Sequence, residues 1–230
     1  MTVPDYAALA VFALLWLGYA WITGDRRFVS RTSLTTAMAD RRREWILNST
    51  RRDLKMIDTQ ILGGLQAGTA FFASTTIFAI GGCFALLGAT EQVDAILQDI
   101  PFIVAGGRAM FELKVCGLIA LFAYSFFKFG WSYRLFNYCT ILFGAIPMLD
   151  EAQKDPVAAR IAAERTIRMN IIAASHFNMG LRAIFYSIGY LGWFVSPWLF
   201  MVSTLLVFIV LLRRQFFSNA RKALLTDGEE

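Results

Sequence analysis

The stretch SHFNMGLRAIFYSIGYLGWFVSPWLFMVSTLLVFIVLLRRQFF, Ser175–Phe217, decides how the rest of the chain is read. It is long and mostly apolar, yet it holds Arg182, the only histidine of the chain (His176) and a proline at 197. Read as one helix, Ala183–Leu212 carries Pro197 in its middle. Read as a hairpin, it breaks at Ser196-Pro197, with Ser196 as N-cap and Pro197 at the first helical position. The halves, Ser175–Val195 and Pro197–Phe217, are each close to the roughly 20 residues a helix needs to cross hydrocarbon.

Charge separates the two readings. Three more apolar segments precede this one: Tyr6–Ile22, Ile61–Gly88 and Ala109–Phe129. Residues 24–60 hold Arg26, Arg27, Arg31, Arg41, Arg42, Arg43, Arg51, Arg52 and Lys55, whereas residues 89–108 hold Arg108 alone. Residues 148–174 hold Lys154, Arg160, Arg165 and Arg168, and residues 213–230 hold Arg213, Arg214, Arg221 and Lys222. Basic residues accumulate on the cytoplasmic side of membrane proteins. The basic regions 24–60, 148–174 and 218–230 are therefore assigned to the cytoplasm and residues 89–108 to the outside. A single last helix would carry the C-terminal basic cluster outside; a hairpin returns it. The expected fold is all-α, a polytopic transmembrane bundle of about five spans (6–22, 61–88, 109–129, 175–195, 197–217), N-terminus out and C-terminus in.

Composition supports a membrane class. The chain is 57% hydrophobic and 17% charged, with 21 Phe and 6 Trp; soluble domains run at about 45–50% apolar and about a quarter charged. The net charge of +5 sits beside apolar segments, as topology demands, so no nucleic-acid partner is expected. The first segment lacks a basic n-region and a small-residue cleavage site, so it reads as a retained span. Cys83, Cys116 and Cys139 lie in apolar segments without CxxC spacing and read as small buried hydrophobes.

Between the spans, Ser33–Leu47 alternates an apolar set (Leu34, Ala37, Met38, Trp45, Ile46) with a charged one, as an amphipathic helix on anionic inner-leaflet headgroups would. Thr50-Arg51-Arg52-Asp53 resembles a capping box and predicts a helix start there. Asp155-Pro156 predicts another, and Pro147 ends the helix before it. Gly130–Ile146, apolar apart from Arg134, is either a continuation of the third helix or an interfacial segment.

Ionisable residues at membrane depth are costly and face a protein interior, a wet cavity or a partner. Ser175, Asn178, Arg182 and Tyr186 are spaced three, four and four apart, which puts them on one helix face. His176 points about a third of a turn away from Ser175. These residues form either a polar seam between helices, with Arg182 snorkelling or paired with Asp53 or Asp58, or an anion or proton site built on Arg182, Asn178, Ser175 and His176. Lys128 and Arg134 stand among Trp131, Tyr133 and Tyr138. They read as an interfacial anchor belt or as positive charge at the mouth of the same site. In the second span, Gly64-xxx-Gly68 with Gly81 and Gly82 is a small-residue face for close helix packing within the bundle or for self-association.

Four stretches together resemble a bacterial and plant membrane family known as domain of unknown function 599: FFASTTIFAIGG (Phe71–Gly82), KFGWSYRLFNY (Lys128–Tyr138), HFNMGLRAIFY (His176–Tyr186) and LRRQFFS (Leu212–Ser218). Two positions depart from its pattern: Gly130 stands where threonine is usual and Gln215 where an acidic residue is usual. The resemblance implies a multi-span protein of a bacterial or organellar membrane, and it supplies no activity, cofactor or catalytic residue.

One histidine cannot supply bis-imidazole haem ligation or a histidine-rich metal centre. Walker A, dinucleotide and GxSxG fingerprints are absent. No catalytic residue, metal or cofactor is therefore expected, and an enzyme acting on lipid ranks last. The leading expectation is a channel or transporter for a small anionic solute, in a bacterial inner membrane. The alternative is an accessory or scaffolding subunit of a membrane complex, or a homo-oligomer.

Overall fold

The computed structural model describes residues 1–24, 32–93 and 107–225. Arg26, Arg27 and Arg31, most of the expected outer loop and the last five residues lie outside them. Among the described residues the fold is all-α: α1 (Val3–Gly24), α2 (Leu34–Ser49), α3 (Met56–Gly88), α4 (Arg108–Gly144), α5 (Leu149–Lys154), α6 (Pro156–Tyr190), α7 (Gly192–Val195), α8 (Pro197–Phe216) and α9 (Asn219–Lys222). Four helical segments are long and apolar enough to cross a membrane: Val3–Thr23, Met56–Gly88, Arg108–Gly144 and Pro197–Lys222. The expected fourth span, 175–195, differs. It is the C-terminal part of the 35-residue α6 followed by the short α7, and its polar residues (His176, Asn178, Arg182) keep α6 outside that set. Several apolar helices of this length make the chain an integral membrane protein by composition.

Local signals account for most helix ends. Ser196 caps α8 by accepting from the Leu199 amide at 3.1 Å, with Pro197 in the first turn, as the hairpin reading required. Asp155 Oδ1 accepts from the Ala158 amide at 2.9 Å and opens α6. α4 runs uninterrupted through Arg134 to Gly144, so Gly130–Gly144 continues the third helix and Ala145 and Ile146 lie in the turn after it. The start expected at Thr50 is corrected to Met56. Thr50 Oγ1 donates back to the Leu47 carbonyl at 2.7 Å, so this residue closes the turn after α2 instead of opening the next helix.

The chain forms two compact units. One comprises Met1–Leu34, Thr76–Ser125 and Leu181–Glu230; the other comprises Thr35–Thr75 and Phe126–Gly180. In the first, Phe12 meets Phe200 at 5.4 Å and Tyr19 meets Phe208 at 6.4 Å, so α1 and α8 run parallel. Phe12 also meets Tyr190 at 5.8 Å and Trp16 meets Tyr186 at 5.0 Å, so the end of α6 runs against α1. α3 brings Cys83, and α4 brings Phe111, Val115 and Leu118, to the cluster of Ala8, Tyr190, Trp193 and Phe200. The α6–α8 hairpin is drawn tight by glycine. A Cβ on Gly189 would stand 3.2 Å from Thr204 Cα, and one on Gly192 would stand 2.9 Å from the Leu199 carbonyl oxygen. The Ser203 hydroxyl donates to the Gly189 carbonyl at 2.6 Å. The expected packing glycines do not do this. Gly64, Gly68, Gly81 and Gly82 are exposed, and an added Cβ would meet nothing within 4 Å. Small size there closes no contact within the chain.

The second unit packs Ile46 of α2, Leu62 of α3, Cys139 and Phe143 of α4, Ile146, and Ala163 and Ile167 of α6. Trp45 stacks on Phe143 at 6.3 Å. Gln66 donates to Asn137 and Thr140, each at 2.9 Å.

Candidate functional site

In the first unit, Arg182 of α6 lies against α1, its guanidinium carbon 6.0 Å from the Trp16 ring centre and 5.5 Å from that of Tyr19. Ring faces attract guanidinium, by about 0.5–1 kcal/mol where exposed and about 2 where desolvated. Ring carbons offer the guanidinium no hydrogen-bond acceptor comparable to a carbonyl or carboxylate. Arg182 Nε is buried without a hydrogen-bond partner, and Arg182 makes no ion pair with any described residue. Neither of the carboxylates weighed as its partner joins it. Asp58 sits in the other unit, bound by Arg52 and Trp45, and Asp53 is exposed.

Helix geometry sets where this charge sits. Side chains lean toward the N-terminus of their own helix. Because α6 runs against α1 and α8, Arg182 leans toward the C-terminal ends of those two. Tyr19 is five residues short of the end of α1, about 7.5 Å by helical rise. Arg214, in the last turn of α8, holds its guanidinium 5.6 Å from the ring of Phe185, three residues on from Arg182. The guanidinium thus lies near the ends of apolar helices, not at mid-span, the placement snorkelling produces. Tyr186, the fourth member of the expected stripe, turns its hydroxyl to the Leu15 carbonyl at 2.9 Å and is fully buried in the same cluster as Tyr19 and Leu211.

The remaining expected residues belong to the second unit. Arg134 is exposed and donates to the Tyr138 hydroxyl at 2.7 Å, its guanidinium 6.0 Å from the Trp131 ring and 5.5 Å from that of Tyr138. The half-buried His176 ring stands edge-on to Trp131 at 6.5 Å with its Nδ1 unpartnered. Lys128 is within electrostatic reach of that ring. Arg134 and His176 thus flank Trp131; Ser175 is half-buried and Asn178 is exposed.

Most other buried polar groups described find partners, while Asp58 Oδ2, Thr204 Oγ1 and Arg221 Nη2 are buried without one. Asp58, at 0% exposure, accepts from Trp45 Nε1 at 2.7 Å and from Arg52 at 2.5 Å. Lys55 Nζ caps two carbonyls after α4, Ile146 at 2.7 Å and Pro147 at 2.9 Å, and burial lowers its pKa against the opposing pull of Asp58. Arg42 donates at 2.6 Å to Asn170, whose amide donates at 3.5 Å to the Cys139 sulfur; burial lowers the pKa of this arginine too. Arg43 pairs with Glu164. Arg41 pairs with Glu44 at 2.9 Å, so all three consecutive arginines of α2 are spent on the protein. Of the cysteines, Cys83 and Cys139 are buried and Cys116 is exposed.

Sequence reasoning missed three groups. Arg214 was read only as topogenic charge and as part of LRRQFFS. Trp16 and Tyr19 were read as plain apolar span. Asp5, Trp193 and Lys114 form a buried trio, with Trp193 Nε1 donating to Asp5 at 2.8 Å and the Lys114 ammonium 5.7 Å from the indole.

Among the described residues no group of three or more His, Cys, Asp or Glu could hold a metal ion. A family model described as "Protein of unknown function, DUF599" matches residues 7–220. No curated protein and no solved structure matches the chain.

Proposed function

The chain belongs to the DUF599 family, and on that premise we propose that it is a membrane transport protein for a small anionic solute, held at Arg182. The observation that carries this reading is a guanidinium set over two aromatic rings, with a buried unpartnered Nε and no described carboxylate paired to it. A structural arginine in an apolar surrounding normally ends in an ion pair or a set of carbonyls. This one leaves charge and donors for a ligand. The rings of Phe12, Trp16, Tyr186, Tyr190, Phe200 and Trp193 touch in series between the Arg182 end and the Asp5 end of α1. Such a dry aromatic filling favours a carrier that binds its solute over an open aqueous channel. Lys128 and Arg134 add positive charge in the second unit. We place the protein in a bacterial inner membrane with the C-terminal basic cluster on the cytoplasmic side.

The test is anion flux into proteoliposomes. Arg182→Ala should reduce flux about tenfold or more, and Arg182→Lys should restore part of it. Equal flux through wild type and Arg182→Ala would overturn the transport reading. A second reading, an accessory subunit of a membrane complex or a homo-oligomer, draws on the open small-residue face of α3 at Gly64, Gly68, Gly81 and Gly82. Mild-detergent purification decides it: a reproducible partner lost on Gly68→Leu, with no flux, would favour it over transport.

A further inference from the structure

We propose that Arg182 and Arg214 together form a two-guanidinium site for a phosphate group, a deepening that rests on the reading of Arg182 as an anion site. Three features of the first unit lead there. First, the two cations share one cluster: Arg182 lies over Tyr19 and Arg214 over Phe185, and Phe185 packs with Tyr19, Tyr186 and Leu211. Like charges gathered on one apolar cluster repel unless an anion comes between them. Second, neither arginine forms an ion pair with a described residue, so nothing described neutralises the pair. Third, each guanidinium lies over aromatic rings and neither donates a hydrogen bond to a described residue, which leaves their N–H groups available. A guanidinium edge matches two oxygens of a phosphate in a bidentate fork, and two forks suit an anion with several equivalent oxygens better than a halide or a single carboxylate.

Position narrows the source to two. The site stands at the C-terminal ends of α1 and α8, with Tyr19 about one and a half turns before the end of α1 and Arg214 in the last turn of α8. That is the level of headgroup phosphates for helices that span a bilayer, and Trp16 and Tyr19 are the ring types that settle there. A phospholipid headgroup and a soluble phosphate arriving from the aqueous side offer the same chemistry to the two arginines.

The experiment has one arm for each source. Wild type, Arg182→Ala and Arg214→Gln are purified in nanodiscs of phosphatidylcholine with and without phosphatidylglycerol, and retained lipid is read by native mass spectrometry. The same proteins in lipid-free detergent are titrated with inorganic phosphate by calorimetry. Retention of phosphatidylglycerol that inorganic phosphate does not displace identifies a lipid site; saturable binding of inorganic phosphate identifies a soluble one. In either case both substitutions should weaken binding by about 10- to 100-fold. Arg214 is exposed at a helix end, so its replacement tests the site even if Arg182→Ala folds poorly. Binding of neither probe, or unchanged binding in Arg214→Gln, overturns the proposal. Acetate or chloride binding at Arg182 without phosphate binding would sink the phosphate assignment and leave the anion site standing.

Discussion

Arg42 and Arg182 are the same side chain put to opposite ends. In the second unit Arg42 reaches Asn170, and Asn170 reaches Cys139. Nearby, Arg52 and Trp45 close on Asp58. Arg42, Arg43 and Arg52 each end on an acceptor supplied by the chain, because α2 and the turn after it carry arginines beside helices that offer Glu164, Asn170 and Asp58. In the first unit Arg182 has only rings around it, and Arg214 stacks on another ring. A cation with its acceptors met holds a fold together. A cation stacked on aromatics and short of acceptors costs little to leave in place and is ready for an anion.

If that contrast is right, stability and binding should separate. The largest stability loss is expected from Asp58→Ala, which strands the indole N–H of Trp45 and the charge of Arg52 together; about 2–4 kcal/mol should disappear from an unfolding titration in mixed micelles. An unchanged midpoint would mean that the matched network is ornamental and the comparison empty. Next comes a pair of glycines. Gly192→Ala pushes a methyl against the Leu199 carbonyl, a backbone atom that cannot swing aside, and should destabilise by about 1–3 kcal/mol. Gly64→Ala meets open space and should be neutral or gain up to about 1 kcal/mol from helix propensity. Equal effects at both positions would show that Gly64 is packed after all, by a second copy or a partner. The smallest stability loss among the substitutions expected to destabilise is that of Arg182→Ala, about 1 kcal/mol, the worth of its ring contacts, although the same substitution is expected to remove anion binding. A large drop in thermal midpoint in detergent would turn Arg182 into a structural residue and remove its contrast with Arg42.

Much of the fold was legible because the signals were local. Ser196 and Pro197 announce the start of α8 by residue type alone, and Asp155 does the same for α6. The capping reading failed at Thr50 because a Thr hydroxyl serves a preceding carbonyl as readily as a following amide, and only the path of the chain decides which lies within reach. The glycines failed for a related reason. A GxxxG spacing states that a helix has a smooth face, not that another helix lies on it, and the close approaches formed at Gly189 and Gly192, where the hairpin forces two helices together. At the candidate site, the sequence singled out Arg182 because charge in apolar sequence is conspicuous. It could not supply Arg214, whose contact with Phe185 spans two helices, nor Trp16 and Tyr19, which look like ordinary span residues until Arg182 lies on them.

The order of apolar and basic segments therefore determined by itself that this chain is an all-helical membrane protein with a hairpin before its last helix, since hydropathy, capping and charge bias act over a few neighbouring residues. Tertiary structure alone decided which arginines are satisfied, because an acceptor 128 residues away, as Asn170 is from Arg42, is brought near or withheld only by the packing of helices.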